Sequence, residues 1–247
     1  MILTLAAKEL KTLFVSPRGW LILAVMQGIM AYLFLNLTEA FLEIQPQLIQ
    51  SSHPVGVTQF IVASLFNNTA IVLLMVTPLL TMGLVAGERR QHTLALLLSS
   101  PVSMTEIVLG KFLGLMVFFS LIIGLLVFMA LALRAGSALD TGLLVSNVVG
   151  LWLLAACFVA LGLYLSSLTA SPTLSAMSSL GAFLGLWLIN LAVSDPHSLL
   201  HYLSPLQHFD GFNHGLVTTQ NMIYFLLFIG VFLAFTVRRL DADRLRG

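Results

Sequence analysis

Charge is the first thing this 247-residue chain has little of: 9% of its residues are Asp, Glu, Lys or Arg, where a soluble domain carries roughly 25%. That shortage excludes a water-soluble globule, and a hydrophobic fraction of 59% shows what replaces the charge. Cysteine is nearly absent as well. The lone Cys157 cannot form an intramolecular disulfide and says little about redox compartment. The alternating segments of a membrane barrel are missing, so helices remain as the way to satisfy backbone polar groups in lipid. A net charge of +1 gives no footing for nucleic acid.

No Asp, Glu, Lys, Arg or His falls near the middle of an apolar run. Proton-coupled carriers and voltage sensors need such residues, so the chain has no evident means of using a proton gradient alone; sodium sites built from carbonyls and hydroxyls stay open. Nucleotide hydrolysis lacks its loop. Leu109-Gly110-Lys111-Phe112 has Thr105 where a phosphate loop needs its first Gly, and Phe112 where it needs Ser or Thr. No His-Glu-x-x-His or Gly-x-Ser-x-Gly pattern occurs. His197 and His201, spaced i, i+4 with His208 and His214 nearby, are compatible with metal binding and equally with interfacial histidines bonded to water and backbone. No catalytic residue, no metal site and no bound cofactor is expected.

What is there is a series of apolar runs. A helix crosses the bilayer core with about 20 mainly apolar residues, and six stretches qualify, at 19–41, 59–86, 105–133, 142–168, 173–194 and 219–237. Together they predict one all-α integral membrane domain over 1–247. The first run is too long for a signal core and has no small-x-small cleavage site after it, so it is expected to stay. Lys8, Lys11, Arg18, Arg89, Arg90, Lys111, Arg238, Arg239, Arg244 and Arg246 fall on one side of these spans and only Arg134 on the other. The bias puts both termini and 87–104 in the cytoplasm.

Residues 2–15, ILTLAAKELKTLFV, read as an amphipathic helix in the cytoplasmic interface. Ser16-Pro17, Ser171-Pro172 and Ser204-Pro205 supply N-caps and first-turn prolines, the last with Gln207 placed to complete a capping box. Thr77-Pro78 should kink the second span. Gly110-x-x-x-Gly114 and Gly181-x-x-x-Gly185 predict close helix neighbours, unless the glycines are simply tolerated in lipid. Short apolar pieces at 199–203 and 208–217 suit an outer interface. Gln27, Asn36, Asn67, Asn68, Asn147 and Asn190 lie within the spans, where they could line a substrate path or bond one helix to another.

One segment interrupts the apolar series: GERRQHTLALLLSSPVSMTEIVLGK, residues 87–111. Glu88, Arg89 and Arg90 mark its start. Leu94, Leu97 and Leu98 then give one apolar face to a short helix expected over 88–98, which Ser99-Ser100-Pro101 stops. Ser103 as N-cap and Glu106 at N3 form a capping box that launches the third span. Lys111, in its first turns, is expected to snorkel to the headgroups.

The whole block resembles the signature between the second and third spans of ABC type-2 transporter permeases, through Glu88, Thr93, Leu94, Leu97, Leu98, Pro101, Val102, Ser103, Ile107, Leu109, Gly110 and Lys111. It departs at His92, where that family commonly has Gly. Ser204-Pro205-Leu206-Gln207-His208-Phe209-Asp210 resembles the gliding-motility branch. The resemblance implies an exporter subunit in a bacterial plasma membrane that pairs with a second permease subunit and with a separate cytoplasmic ATPase, which carries the ATP and Mg. The 87–104 segment would be the coupling helix, Glu88, Arg89, Arg90, Thr93, Leu94, Leu97 and Leu98 its docking residues, and Pro101, Ser103 and Glu106 its hinge and caps. An extracytoplasmic partner is a further expectation of the branch. An ion-coupled carrier or channel acting alone, and a membrane anchor for an extracytoplasmic assembly, are the readings it competes with.

Overall fold

The computed structural model describes residues 1–50, 56–93, 102–135, 139–192 and 203–246. Helices α1 (Ile2–Val15), α2 (Pro17–Gln50), α3 (Ser64–Thr81), α4 (Ala86–Arg90), α5 (Met104–Ala132), α6 (Thr141–Leu168), α7 (Pro172–Ala192), α8 (Pro205–Asn213) and α9 (Thr219–Arg246) follow one another, with a π-helical turn over Thr58–Ala63 leading into α3. No strand occurs among the described residues. Six helical stretches are long and apolar enough to cross a membrane: Pro17–Gln45, Thr58–Arg90, Met104–Ala132, Thr141–Leu168, Pro172–Ile189 and Thr219–Arg244.

α6 is the hub. It touches α3, α5, α7, α8 and α9, and most of its length is buried, whereas α2 and α9 leave most of theirs uncovered. The sequence explains the difference, because α6 is apolar all round, as a helix must be when neighbours cover every face. Its Leu151 and its side chains from Leu153 to Leu161 join Leu65, Leu73, Phe118, Phe119, Phe183 and Phe209 in one continuous core.

α1 is seated along the start of α5 and runs in the same direction. Leu5 packs at Gly110, Ala6 and Glu9 at Gly114, and the Phe14 ring meets Phe118 at 5.8 Å. A Cβ on Gly110 would stand 2.6 Å from Leu5 Cβ, and one on Gly114 2.9 Å from Glu9 Cβ. Here the small-residue pair admits a neighbour. Gly181 and Gly185 have nothing within 4 Å of the corresponding positions, so that pair meets no neighbour among the described residues.

Helix starts follow the local chemistry. Ser16 Oγ accepts from Arg18 N at 3.2 Å beside Pro17. Asp140 Oδ1 accepts from Gly142 N and Leu143 N to open α6. At α8 Ser204 is the N-cap with Pro205 following, but no side-chain cap bond forms, so the box expected with Gln207 is not made. Ser204 is fully buried and its hydroxyl has no partner among the described residues. α8 packs against α6. Ser146 Oγ donates to Phe212 O at 2.8 Å and Asn147 Nδ2 to Asn213 O at 3.4 Å, which fastens it against α6.

The two glycine pairs give the first prediction. Gly110→Val should lever α1 off α5, costing about 1–3 kcal/mol as an overpacked contact, while Gly181→Val should be tolerated. Protease sensitivity of residues 1–16 in purified protein is the measurement: a rise with the first substitution and none with the second is expected.

Candidate functional site

The site is assembled around α4, at the end of the bundle that carries both termini. Pro78 lacks the N–H that would continue the ladder of α3, and the helix ends at Thr81. Residues 82–85 turn, with Met82 N bonded to Pro78 O and Leu84 N to Thr81 O, before α4 begins. Two N–H groups at its start, Val85 and Ala86, are met by a single hydroxyl. Ser166 Oγ of α6 accepts from them at 3.2 and 3.1 Å and donates to Met82 O at 3.2 Å. Both of its lone pairs and its proton are thus used. Gly162, one turn earlier on α6, lets Thr81 approach to within 2.5 Å of where its Cβ would stand.

From α4, Glu88 points inward. Its Oε1 accepts from Lys111 Nζ of α5 at 2.6 Å, and Lys111 also donates to Glu9 Oε1 of α1 at 2.9 Å. The Lys111 side chain is 3% exposed, so it does not snorkel. Snorkelling brings a cation water or headgroups; two carboxylates within 3 Å do that here and draw the ammonium into the protein. On the other side of α4, Arg89 pairs with Asp243 at the end of α9, and Arg239 approaches the same carboxylate at 3.7 Å. Arg90 alone of the three charges stays exposed.

α4 does not continue to Leu98. His92 N bonds to Arg89 O and Thr93 N to Glu88 O, and His92 takes φ +56°. That bond pair, closed by a left-handed residue, is a helix stop that most often uses Gly. It explains the departure seen in the sequence: Gly fits the position without strain, and His is among the non-glycine residues better tolerated there. Thr93 Oγ1 also donates to Glu88 O at 3.2 Å. Leu94, Leu97, Leu98 and Pro101 lie outside the described residues. Beyond them α5 starts on a reciprocal cap: Glu106 N donates to Ser103 Oγ at 3.2 Å and Ser103 N to Glu106 Oε2 at 3.1 Å.

The span polar residues go elsewhere. Gln27 Nε2 donates to Met129 Sδ at 3.0 Å, joining α2 to α5, Asn36 bonds back to Tyr32 O, and Asn147 serves α8. Asn67 is exposed and Asn68 half-buried; the Asn190 side chain lies outside the described set. At the end opposite α4, His208 stacks on Tyr224 with ring centroids 3.8 Å apart and its Nδ1 lies 2.8 Å from Asn221 Oδ1, while His214 faces Asp210 at 3.6 Å. Among the described residues no three His, Cys, Asp or Glu come together to hold a metal; His197 and His201 fall outside them.

The family model for the ABC-2 family transporter protein matches residues 3–245. The chain belongs to that family. It is therefore an ABC-transporter permease, a multi-pass membrane protein whose family supplies the membrane subunit and is generally not catalytic itself. No curated protein is similar enough to be matched to it. The charged knot of this permease was only half visible in its sequence. Glu9 and Asp243 gave no motif, and Lys111 read as an interfacial cation; the signal that could have found them is the pairing of Glu9 with the Gly110-x-x-x-Gly114 face that the helix needs.

Two substitutions test the geometry of the permease. Lys111→Met leaves two carboxylates facing each other without a cation and should cost about 3–5 kcal/mol, whereas Glu9→Gln/Glu88→Gln/Lys111→Met should regain most of it; thermal unfolding in detergent reads both. His92→Gly removes a left-handed strain of roughly 1 kcal/mol and should raise the midpoint slightly.

Proposed function

We propose that the chain is the membrane half of an ATP-driven exporter, working as a dimer of permease subunits with a separate cytoplasmic ABC ATPase that binds the ATP and Mg. In this reading both termini and 87–104 face the cytoplasm of a bacterial plasma membrane, in line with the positive charge gathered at that end. The observation that carries it is the way α4 is tied into the bundle. One short helix is hydrogen-bonded to α6 through Ser166, ion-paired through Lys111 to α5 and α1, and ion-paired through Arg89 to α9. A force applied to the segment that follows it reaches four helices at once.

The division of labour within 87–104 differs from a uniform docking surface. Glu88 and Arg89 hold α4 in the permease, and Arg90 and the leucines after the His92 stop are left to meet the ATPase. Leu94, Leu97 and Leu98 supply apolar contact worth roughly 1.5–3 kcal/mol for each side chain fully buried. Pro101, Ser103 and Glu106 then fix where the motion enters α5. Gln27, Asn36 and Asn147 each donate a hydrogen bond to a neighbouring helix or to their own.

Leu94→Asp/Leu97→Asp should abolish co-purification of the ATPase while the permease still inserts and unfolds at its usual temperature. Undiminished co-purification from the double variant defeats the docking assignment.

A further inference from the structure

α9 is longer than its apolar run requires. The run ends at Val237, and the helix continues through Arg246 with Arg238, Arg239, Asp241, Asp243 and Arg244, an extension of roughly 13 Å at about 1.5 Å per residue. Terminal helix turns fray unless something ties them down. Two contacts hold this one. Leu240 is 1% exposed within the core, and Asp243 receives Arg89 of α4 on one oxygen and Arg239 of its own helix on the other. The side chains of Arg89 and Asp243 are 22% and 20% exposed, so the pair is largely shielded.

α4 packs on α6 and α7 rather than broadly on α9, and the ion pair ties it directly to α9. At the far end, α9 carries Asn221, bonded to His208 of α8, and Tyr224, whose hydroxyl donates to Leu203 O at 2.6 Å and whose ring stacks on His208. One helix therefore connects α4 at the terminus-bearing end to α8 at the opposite end.

We infer that Asp243 is a positioning residue of the coupling site: through Arg89 it fixes the orientation of α4 and makes the sixth span move with it. The inference rests on the reading of 87–104 as the segment that receives the ATPase. It adds a route that the second and third spans do not supply. Displacement of α4 is passed along α9 and delivered to α8, across the full depth of the bundle.

The test uses charge reversal in the full-length permease, with spin labels at Gln91 and Arg244 after Cys157→Ala. In the permease alone, Arg89→Asp and Asp243→Arg should each broaden the label distance distribution, and the swapped double variant should narrow it again. In the complex with its ATPase, each single reversal should lower ATP turnover on the order of fivefold, at unchanged KM for ATP and with the ATPase still bound, and the swap should restore it. Turnover equal to wild type in either single variant, or a swap that rescues neither readout, overturns the inference. A wild-type permease that retains no ATPase sinks the docking reading and the coupling role with it, while the label distances still decide whether the pair orients α4.

Discussion

The Lys111 ammonium lies 2.9 Å from Glu9 and 2.6 Å from Glu88, with its side chain almost fully shielded. A charge taken that far from water is tolerated only where partners replace the hydration, and removing one partner exposes the cost of the other. α1, α4 and α5 are consequently bound to a common position: withdrawing α5 leaves two carboxylates without their cation, and withdrawing α1 or α4 strips the shielded ammonium of one of its two partners. The rest of that end of the bundle follows. Glu9 reaches Lys111 only because α1 comes down onto a helix face without side chains at Gly110 and Gly114. Glu88 reaches it only because α3 stops at Thr81 and the chain turns before α4.

That turn has a cost, since residues 82–85 give up the regular helix ladder inside a packed, apolar setting where unmet N–H and C=O groups are expensive. Ser166 supplies the missing partners from α6. Having Ser rather than a larger residue there matters sterically as well as chemically, because Gly162 and Ser166 are successive turns of the face on which α3 and α4 rest. The left-handed stop at His92 completes the arrangement. It ends α4 after Arg90, leaving a stub held by the permease.

Much of the fold was legible in the chain because lipid leaves few options. Six apolar runs return as six helices of spanning length, since nothing else satisfies a backbone in hydrocarbon. The Ser103–Glu106 cap was readable because its two partners are three residues apart, and local spacing is what a sequence shows best. The contacts that define α4 span 154 residues from Arg89 to Asp243 and 102 from Glu9 to Lys111, and no periodicity reports on pairs that distant. Lys111 illustrates the limit: a lysine near a span end has the same sequence whether it snorkels out or turns in, and only the arrival of α1 decides. Of the two glycine pairs, likewise, one meets a helix and the other meets none among the described residues, with identical spacing.

The geometry also accounts for why the hub is α6 rather than one of the helices flanking the charged segment. α4 touches α6 through the Ser166 hydroxyl, α5 and α9 both pack against it, and α8 is pinned to its far end by Ser146 and Asn147. A close-packed interior passes displacements on as rigid-body shifts instead of absorbing them. α6 therefore joins α3, α5 and α9 to one packed centre, and it does so with no charged residue between Thr141 and Leu168. An ionised group on its buried faces would need its own partner, and every such partner would tie α6 to one neighbour in the way Lys111 ties α5 to α1.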